Sequence, residues 1–214
     1  MSRTIETLDA LIDVIRAAPR KAQRRLIAVA GAPGSGKSTL ADRLAEALTA
    51  NECAAEVVPM DGFHLDNTQL ARMGLLDRKG APETFDVGGF RRLAEALGAE
   101  TPVYYPRFDR SRDIAIAGVG CLQADCDTVI VEGNYLQLDA PGWRDLRFLW
   151  DLSIRLDVSM ETLRLRLIDR WLTEGMPQEA AVARAEGNDL RNARLVDEQS
   201  LAADILFRET ALQC

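Results

Sequence analysis

Lysine is scarce in this chain. Of 26 basic side chains only Lys21, Lys37 and Lys79 are lysines, and the formal net charge is −7. So acidic a balance disfavours sequence-independent binding to DNA or RNA, which works by neutralising phosphates with a basic surface. No nucleic-acid partner is expected. Histidine occurs once, at His64, and cysteine four times, at Cys53, Cys121, Cys126 and Cys214, with no CxxC pair and no Cys/His cluster. That spacing suggests neither a disulfide framework nor a zinc site and predicts reduced, structural cysteines. Long apolar runs are missing as well. The longest uncharged stretches, Leu26 to Gly36 and Ile114 to Ala124, reach eleven residues, whereas a membrane helix needs about twenty. With no apolar signal segment at the N-terminus either, a cytoplasmic protein without membrane insertion is expected.

What is present is ordinary for a globular protein: 47% hydrophobic and 28% charged residues, with too few glycines and prolines for a disordered or fibrous chain. The length of 214 residues suits one domain able to bury a full core. Thr4 to Ala18 carries Ile5, Leu8, Leu11, Ile12 and Ile15 at helical spacing, and Pro19 stops it. Beyond it, short apolar runs alternate with helical patterns. Strands are predicted at Leu26 to Ala30, Ala55 to Met60, Thr128 to Val131, Leu149 to Val158 and near Ile205. Helices are predicted at Thr39 to Ala50, Gly89 to Leu97, Met160 to Thr173 and Gln178 to Glu186. Such alternation implies a parallel α/β sheet covered on both faces. His64 to Asp86 and Thr101 to Ile116 fit neither period, and read as loops or small insertions at the carboxyl edge of the strands, where open α/β sheets bind ligands.

Gly31-Ala32-Pro33-Gly34-Ser35-Gly36-Lys37-Ser38-Thr39 matches the phosphate-loop pattern G-x-x-x-x-G-K-[ST], after a predicted strand and at the start of a predicted helix. The glycines let successive backbone N–H groups face one anion. Lys37 is of the type that reaches the β and γ phosphates of ATP, and the Ser38 hydroxyl of the type that ligates Mg²⁺. With so few lysines and glycines, a chance match is expected roughly 0.001 times. Two further apolar strands end in acids, Asp61 and Glu132. They supply one candidate base and one candidate metal ligand, and residue chemistry alone does not assign which is which. Arg166 and Arg170 lie one turn apart on a predicted helix, where cations can cover a transferring phosphoryl group.

Asp61-Gly62-Phe63-His64, then Arg78 to Asp86, Val131-Glu132-Gly133 and Arg166-Leu-Ile-Asp-Arg170, in this order after a phosphate loop, resemble the uridine kinase, phosphoribulokinase and pantothenate kinase family over roughly residues 25 to 195. Within it the chain looks most like bacterial proteins described as proposed fructose transport system kinases, also at Asn188 to Asn192. The resemblance implies an α/β, nucleotide-kinase-like P-loop NTPase: a three-layer sandwich with a parallel sheet and a helical lid. One domain is expected over 1–214, with an N-terminal helix in 1–20 and the lid and following helix in 159–192. It also implies Asp61 as base toward a substrate hydroxyl, Glu132 near the magnesium, and Arg166 and Arg170 on the lid. Gly62 stands where uridine kinases carry Ser or another residue, and Leu163 where pantothenate kinases carry tyrosine, so the acceptor is not implied with the chemistry.

The expected activity is therefore ATP- and Mg²⁺-dependent transfer of the γ-phosphoryl group to a hydroxyl of a small polar, sugar-like and fructose-related metabolite. The competing readings are a nucleoside, nucleotide or pantothenate-like kinase, and an ATP-gated regulatory NTPase of a transporter. The acceptor pocket is expected between the Asp61 strand end, Arg78 to Asp86 and Tyr104 to Asp109. His64, Arg78, Lys79, Asp86, Tyr104, Arg107, Asp109 and Glu132 are its candidate substrate residues. A homodimer is left open.

Overall fold

In a computed structural model, which describes residues 2–99 and 101–208, six parallel strands form the central sheet in the order β1 (Arg3–Ile5), β8 (Ile205–Phe207), β7 (Leu152–Leu156), β2 (Arg25–Ala30), β6 (Thr128–Gly133) and β3 (Ala55–Pro59). The adjacent inner strands β2 and β6 are buried along their whole length, which is why their sequences read as apolar runs rather than as alternations. Their side chains still divide by period. Leu26, Ala28, Val129 and Val131 enter one core, while Ile27, Val29 and Ile130 enter the other.

The second core is closed by α1 (Leu8–Ala17) and α2 (Lys37–Ala50), through Leu11, Ile15, Leu40 and Leu44. Thr7 caps α1, its side chain accepting the Ala10 N–H. The first core is closed by α4 (Val87–Ala96), through Phe90 and Leu93, and by an aromatic group in which Phe85, Phe90 and Tyr135 pack against Trp143. A third, smaller core joins α5 (Met160–Thr173) and α7 (Leu190–Gln199) through Leu163, Leu167, Leu190 and Ala193.

The predicted α/β class stands, and the departures from the expected elements are local. Thr101 to Ile116 is no loop: it lies in an antiparallel hairpin of β4 (Val103–Asp109) and β5 (Ile114–Leu122), bulged between Tyr105 and Arg107. Pro106 at the bulge and the charged turn hide the alternation. His64 to Asp86 holds α3 (Asn67–Met73), capped by Asp66, together with short 3₁₀ turns. Thr4 and Ile5 belong to β1, because the Arg3–Ile5 backbone pairs with β8 before the helix starts. Past α6 (Gln178–Arg184) the chain makes a π-helical turn at Ala185–Asp189 and continues into α7, which the pattern did not give. Cys53, Cys121 and Cys126 are free thiols; Cys214 lies outside the described residues. Among the described residues no helix is long and apolar enough to cross a membrane.

Candidate active site

Parallel register brings three strand ends together. Val29 pairs with Glu132, Ala30 with Gly133, and Pro59 with Glu132. The segments leaving β2, β6 and β3 therefore emerge side by side. From β2 comes the phosphate loop. Gly36 sits at the N-cap of α2 with φ 90° and no side-chain cap, a backbone that only glycine adopts without strain. The first N–H groups of α2 are thus left for an anion. Ser35 Oγ is buried without a hydrogen-bond partner in the same loop. Ser38 Oγ donates to Glu132 Oε2 at 3.2 Å. Glu132 is only 5% exposed, and burial raises its pKa above the usual range, opposed by Lys37 and reinforced by Asp61.

From β3 comes a 3₁₀ turn, Met60–Phe63, that carries Asp61. The Asp61 carbonyl accepts the His64 backbone N–H at 3.1 Å and its ring Nδ1–H at 2.8 Å. The imidazole lies between the rings of Phe85 and Phe108, at 4.1 and 4.6 Å. Burial lowers its pKa, so the ring holds the turn as a neutral donor. Asp61 Oδ2 accepts from Arg110 at 3.2 Å. The hairpin that brings Arg110 rests on this turn through Gly62, where an added Cβ would lie 2.2 Å from the Pro106 carbonyl oxygen. Gly62→Ala should therefore displace the hairpin. The expected cost is about 1–3 kcal/mol of stability, read as a lower melting temperature, with the acceptor's KM rising more than that of ATP. Parental values of both would mean that this close approach does not hold the hairpin.

Together these segments border a cleft enclosing about 730 Å³ of non-protein space. One wall holds Lys37, Asp61, His64, Lys79, Phe108, Arg110, Asp113 and Asn134; the other holds Arg170, Trp171, Arg184, Asp189 and Asn192. Asn134 Oδ1 is buried without a partner and can accept a hydrogen bond from a ligand hydroxyl. Trp171 Nε1 donates to Asp189 at 2.6 Å, and the Arg170 and Arg184 guanidinium groups lie 5.0 and 5.3 Å from the Trp171 ring centre. Burial raises the Asp189 pKa against that hydrogen bond.

Of the residues expected on the acceptor side, His64 and Lys79 line this cleft. Glu132 sits behind them at Ser38. Asp86 caps α4, accepting the Gly89 N–H at 2.8 Å. Tyr104 is 69% exposed. Arg107 donates to the Tyr105 hydroxyl, which donates in turn to Glu56; burial and the Glu56 carboxylate push the Tyr105 pKa up to about 12, against the Arg107 bond. Asp109 is taken up by the hairpin turn, where it accepts from Ser111 and Arg112. Arg78 lies behind Lys79, donating to Asn188 at 2.5 Å and to Asn192 at 3.2 Å, while Asn188 donates to the Lys79 carbonyl. This explains the Asn188 to Asn192 stretch: the π-helical turn clamps the far wall onto the Arg78–Lys79 segment. Arg166 donates to the Gly34 and Ser35 carbonyls, and Arg170 pairs with Glu174.

The pattern missed Arg110, Asp113 and Asn134 on one wall, and Trp171, Arg184 and Asp189 on the other. The only available signal for Arg110 was the dense charge of Asp109-Arg110-Ser111-Arg112-Asp113 between two apolar stretches.

A second cleft, of about 650 Å³, opens beside the phosphate loop between Gly34, Gly36, Thr39, Leu40, Arg43, Leu156, Arg166 and Phe207. Its aliphatic and aromatic walls suit a flat base, and the phosphate loop lies between it and the polar cleft. A parallel sheet ending in a phosphate loop, with acids on the neighbouring strand ends, defines a phosphate-loop NTPase.

Residues 27–186 match the model of a family described as AAA domain. The chain is 33% identical over 201 residues to a proposed uridine kinase of Schizosaccharomyces pombe, covering 89% of this chain and 86% of that one. It is 31% identical over 182 residues to a pantothenate kinase of Leifsonia xyli, covering 83% of this chain and 56% of that protein. Among solved structures, that of a proposed fructose transport system kinase from Silicibacter superposes with a TM-score of 0.91 at 56% identity, covering 94% of this chain and 99% of the other. The chain belongs to the P-loop kinases related to the uridine and pantothenate kinases, and it is an ATP-dependent small-molecule kinase.

Proposed function

We propose that this kinase phosphorylates a hydroxyl of a sugar-like metabolite held in the polar cleft, with Asp61 as the base and Glu132 on the metal side. The observation that carries this reading is the different setting of the two acids. Glu132 is buried against the Ser38 hydroxyl beside Lys37, whereas Asp61 faces the cleft. A hydroxyl, a carboxylate and the phosphates of ATP make the oxygen donor set that Mg²⁺ prefers, so Ser38 and Glu132 would hold the ion, and it would supply charge neutralisation at the β and γ phosphates.

In this reading the base of ATP lies between Leu156 and Phe207, and its phosphates lie on the Gly31 to Thr39 loop with Lys37. Arg166 and Arg170, on α5, serve as the cations of a lid built from α5 to α7 in a single domain. The acceptor hydroxyl lies against Asp61, with Asn134 and His64 lining its pocket. As the acceptor oxygen attacks the γ phosphorus, its proton passes to Asp61 and ADP leaves.

The test is ADP release by the purified chain with Mg²⁺-ATP, alone and with sugars, sugar acids, sugar phosphates, nucleosides or pantothenate. Stimulation by the sugar group is expected. Stimulation by nucleosides or pantothenate alone would move the acceptor class. A rate indifferent to every acceptor would favour a regulatory NTPase instead.

A further inference from the structure

Arg110 is delivered by a turn braced on both sides. Asp109 Oδ1 accepts the Ser111 hydroxyl at 2.6 Å and the Arg112 N–H at 3.2 Å. At the other end Asp113 adopts a left-handed backbone, φ 55°, a strained state for a residue with a side chain. Its carboxylate accepts from Asn67 at 2.8 Å and pairs with Lys79 at 2.9 Å, and Lys79 also donates to its carbonyl at 2.8 Å. Burial works against the charge of Asp113, but these partners hold its carboxyl below the usual carboxylate range. Between the two braces, the Arg110 side chain is 57% exposed at the cleft and spends one N–H on Asp61. The rest of a five-donor fork is free to engage something else.

The other cations at this edge are committed elsewhere. Lys37 belongs to the phosphate loop, Arg166 donates to that loop's carbonyls, Arg170 and Arg184 lie against Trp171, and Lys79 is used on Asp113 and Asn67. Arg110 is the cation on the acceptor side of Asp61. Among the described residues, its one hydrogen-bond and ion-pair partner, Asp61, is also the group whose oxygen has to take the acceptor's proton.

We propose that Arg110 reads an anionic group on the acceptor, so that the substrate is a hydroxylated carboxylate or phosphate ester rather than a neutral polyol. The inference rests on the kinase reading above, with Asp61 as base. An arriving carboxylate or phosphate takes Arg110 off Asp61, exchanging one ion pair for a bidentate one, and leaves Asp61 Oδ2 to the hydroxyl. In the transfer step the acceptor O–H bond breaks with its proton going to Asp61. A new O–P bond forms at the γ phosphorus, and the bond to the β–γ bridging oxygen breaks with its electron pair leaving on ADP. A neutral acceptor has nothing to offer Arg110, which then stays on the base.

The test uses two matched sets of acceptors, fructose with gluconate and fructose 6-phosphate, and glycerol with glycerate and glycerol 3-phosphate. Initial rates of ADP release are measured for the parent, Arg110→Ala and Arg110→Lys. In at least one set the parent should prefer an anionic member over the neutral one by about 10- to 100-fold in kcat/KM, the scale of one hydrogen-bonded charged contact. Whether the carboxylate or the phosphate member leads identifies the group being read. Arg110→Ala should collapse that ratio towards one by raising the KM of the anionic member, without a matching rise in the KM of ATP. Arg110→Lys should restore part of it as a point charge. If the neutral member is the best acceptor, or if Arg110→Ala lowers neutral and anionic turnover alike, the proposal is overturned while the kinase reading survives. If no member of either set raises ADP release above ATP alone, the sugar-like acceptor falls and this proposal with it.

Discussion

Lys37→Ala is expected to fold and to lose ATP turnover by at least about 10²- to 10³-fold, the usual cost of removing a cation that stabilises transition-state charge. Folding should survive because Lys37 is the first residue of α2 and is not part of the core, and alanine is the better helix former. Neither remaining lysine can stand in. Lys79 is only 10% exposed along its side chain and is bound to Asp113 and Asn67. Lys21 lies at the amino ends of the strands, its backbone N–H bonded to the Asp151 carboxylate and its ammonium to the Trp150 carbonyl. The measurement is steady-state ADP release with a thermal melt to verify folding. A folded variant with turnover within about tenfold of the parent would remove Lys37 from the β and γ phosphates.

Asp61→Asn is expected to separate binding from chemistry. The amide has the size of the carboxylate and leaves the backbone carbonyl that His64 holds untouched, but it cannot accept the acceptor's proton. The phosphoryl transfer rate should fall by roughly 10²- to 10⁴-fold, while the KM for Mg²⁺-ATP changes little, the pattern of a group that acts only in the transition state. Single-turnover rates and nucleotide titrations on the same preparation decide the matter. Parallel losses of Mg²⁺-ATP affinity and rate would instead make Asp61 a metal ligand and move the base role to Glu132.

The two positions behind these predictions stood out in the sequence for different reasons. The loop carrying Lys37 is read from nine consecutive residues, because one turn and one helix start do its work. Asp61 and Glu132 were legible as acids closing apolar strands, since parallel strands place their carboxyl ends along one edge of a sheet. Which acid is buried was not legible. It depends on Glu132 standing between Val29 and Pro59, on the two neighbouring strands.

The hairpin side of the polar cleft shows where local reading stops. Arg107 and Arg110 are three residues apart in one charged stretch, and nothing in their neighbours ranks one above the other. The bulge at Tyr105/Arg107 and the contact of Gly62 with Pro106 rotate Arg107 towards Tyr105 and carry Arg110 over Asp61. Arg78 and Lys79 are adjacent, yet one is clamped by Asn188 and Asn192, more than a hundred residues away, and the other reaches the hairpin turn.

By itself the sequence determined the alternating strands and helices, the phosphate loop and the acids at the strand ends. Each of these is encoded in the period of apolar residues or in the backbone needs of a few successive positions. Only the tertiary structure decided which charged side chains line the polar cleft. Direction at a hairpin, a π-helical turn or a buried ion pair is set by strand register and by partners distant in the chain, and residues that look equivalent along the sequence are separated only when those partners pack.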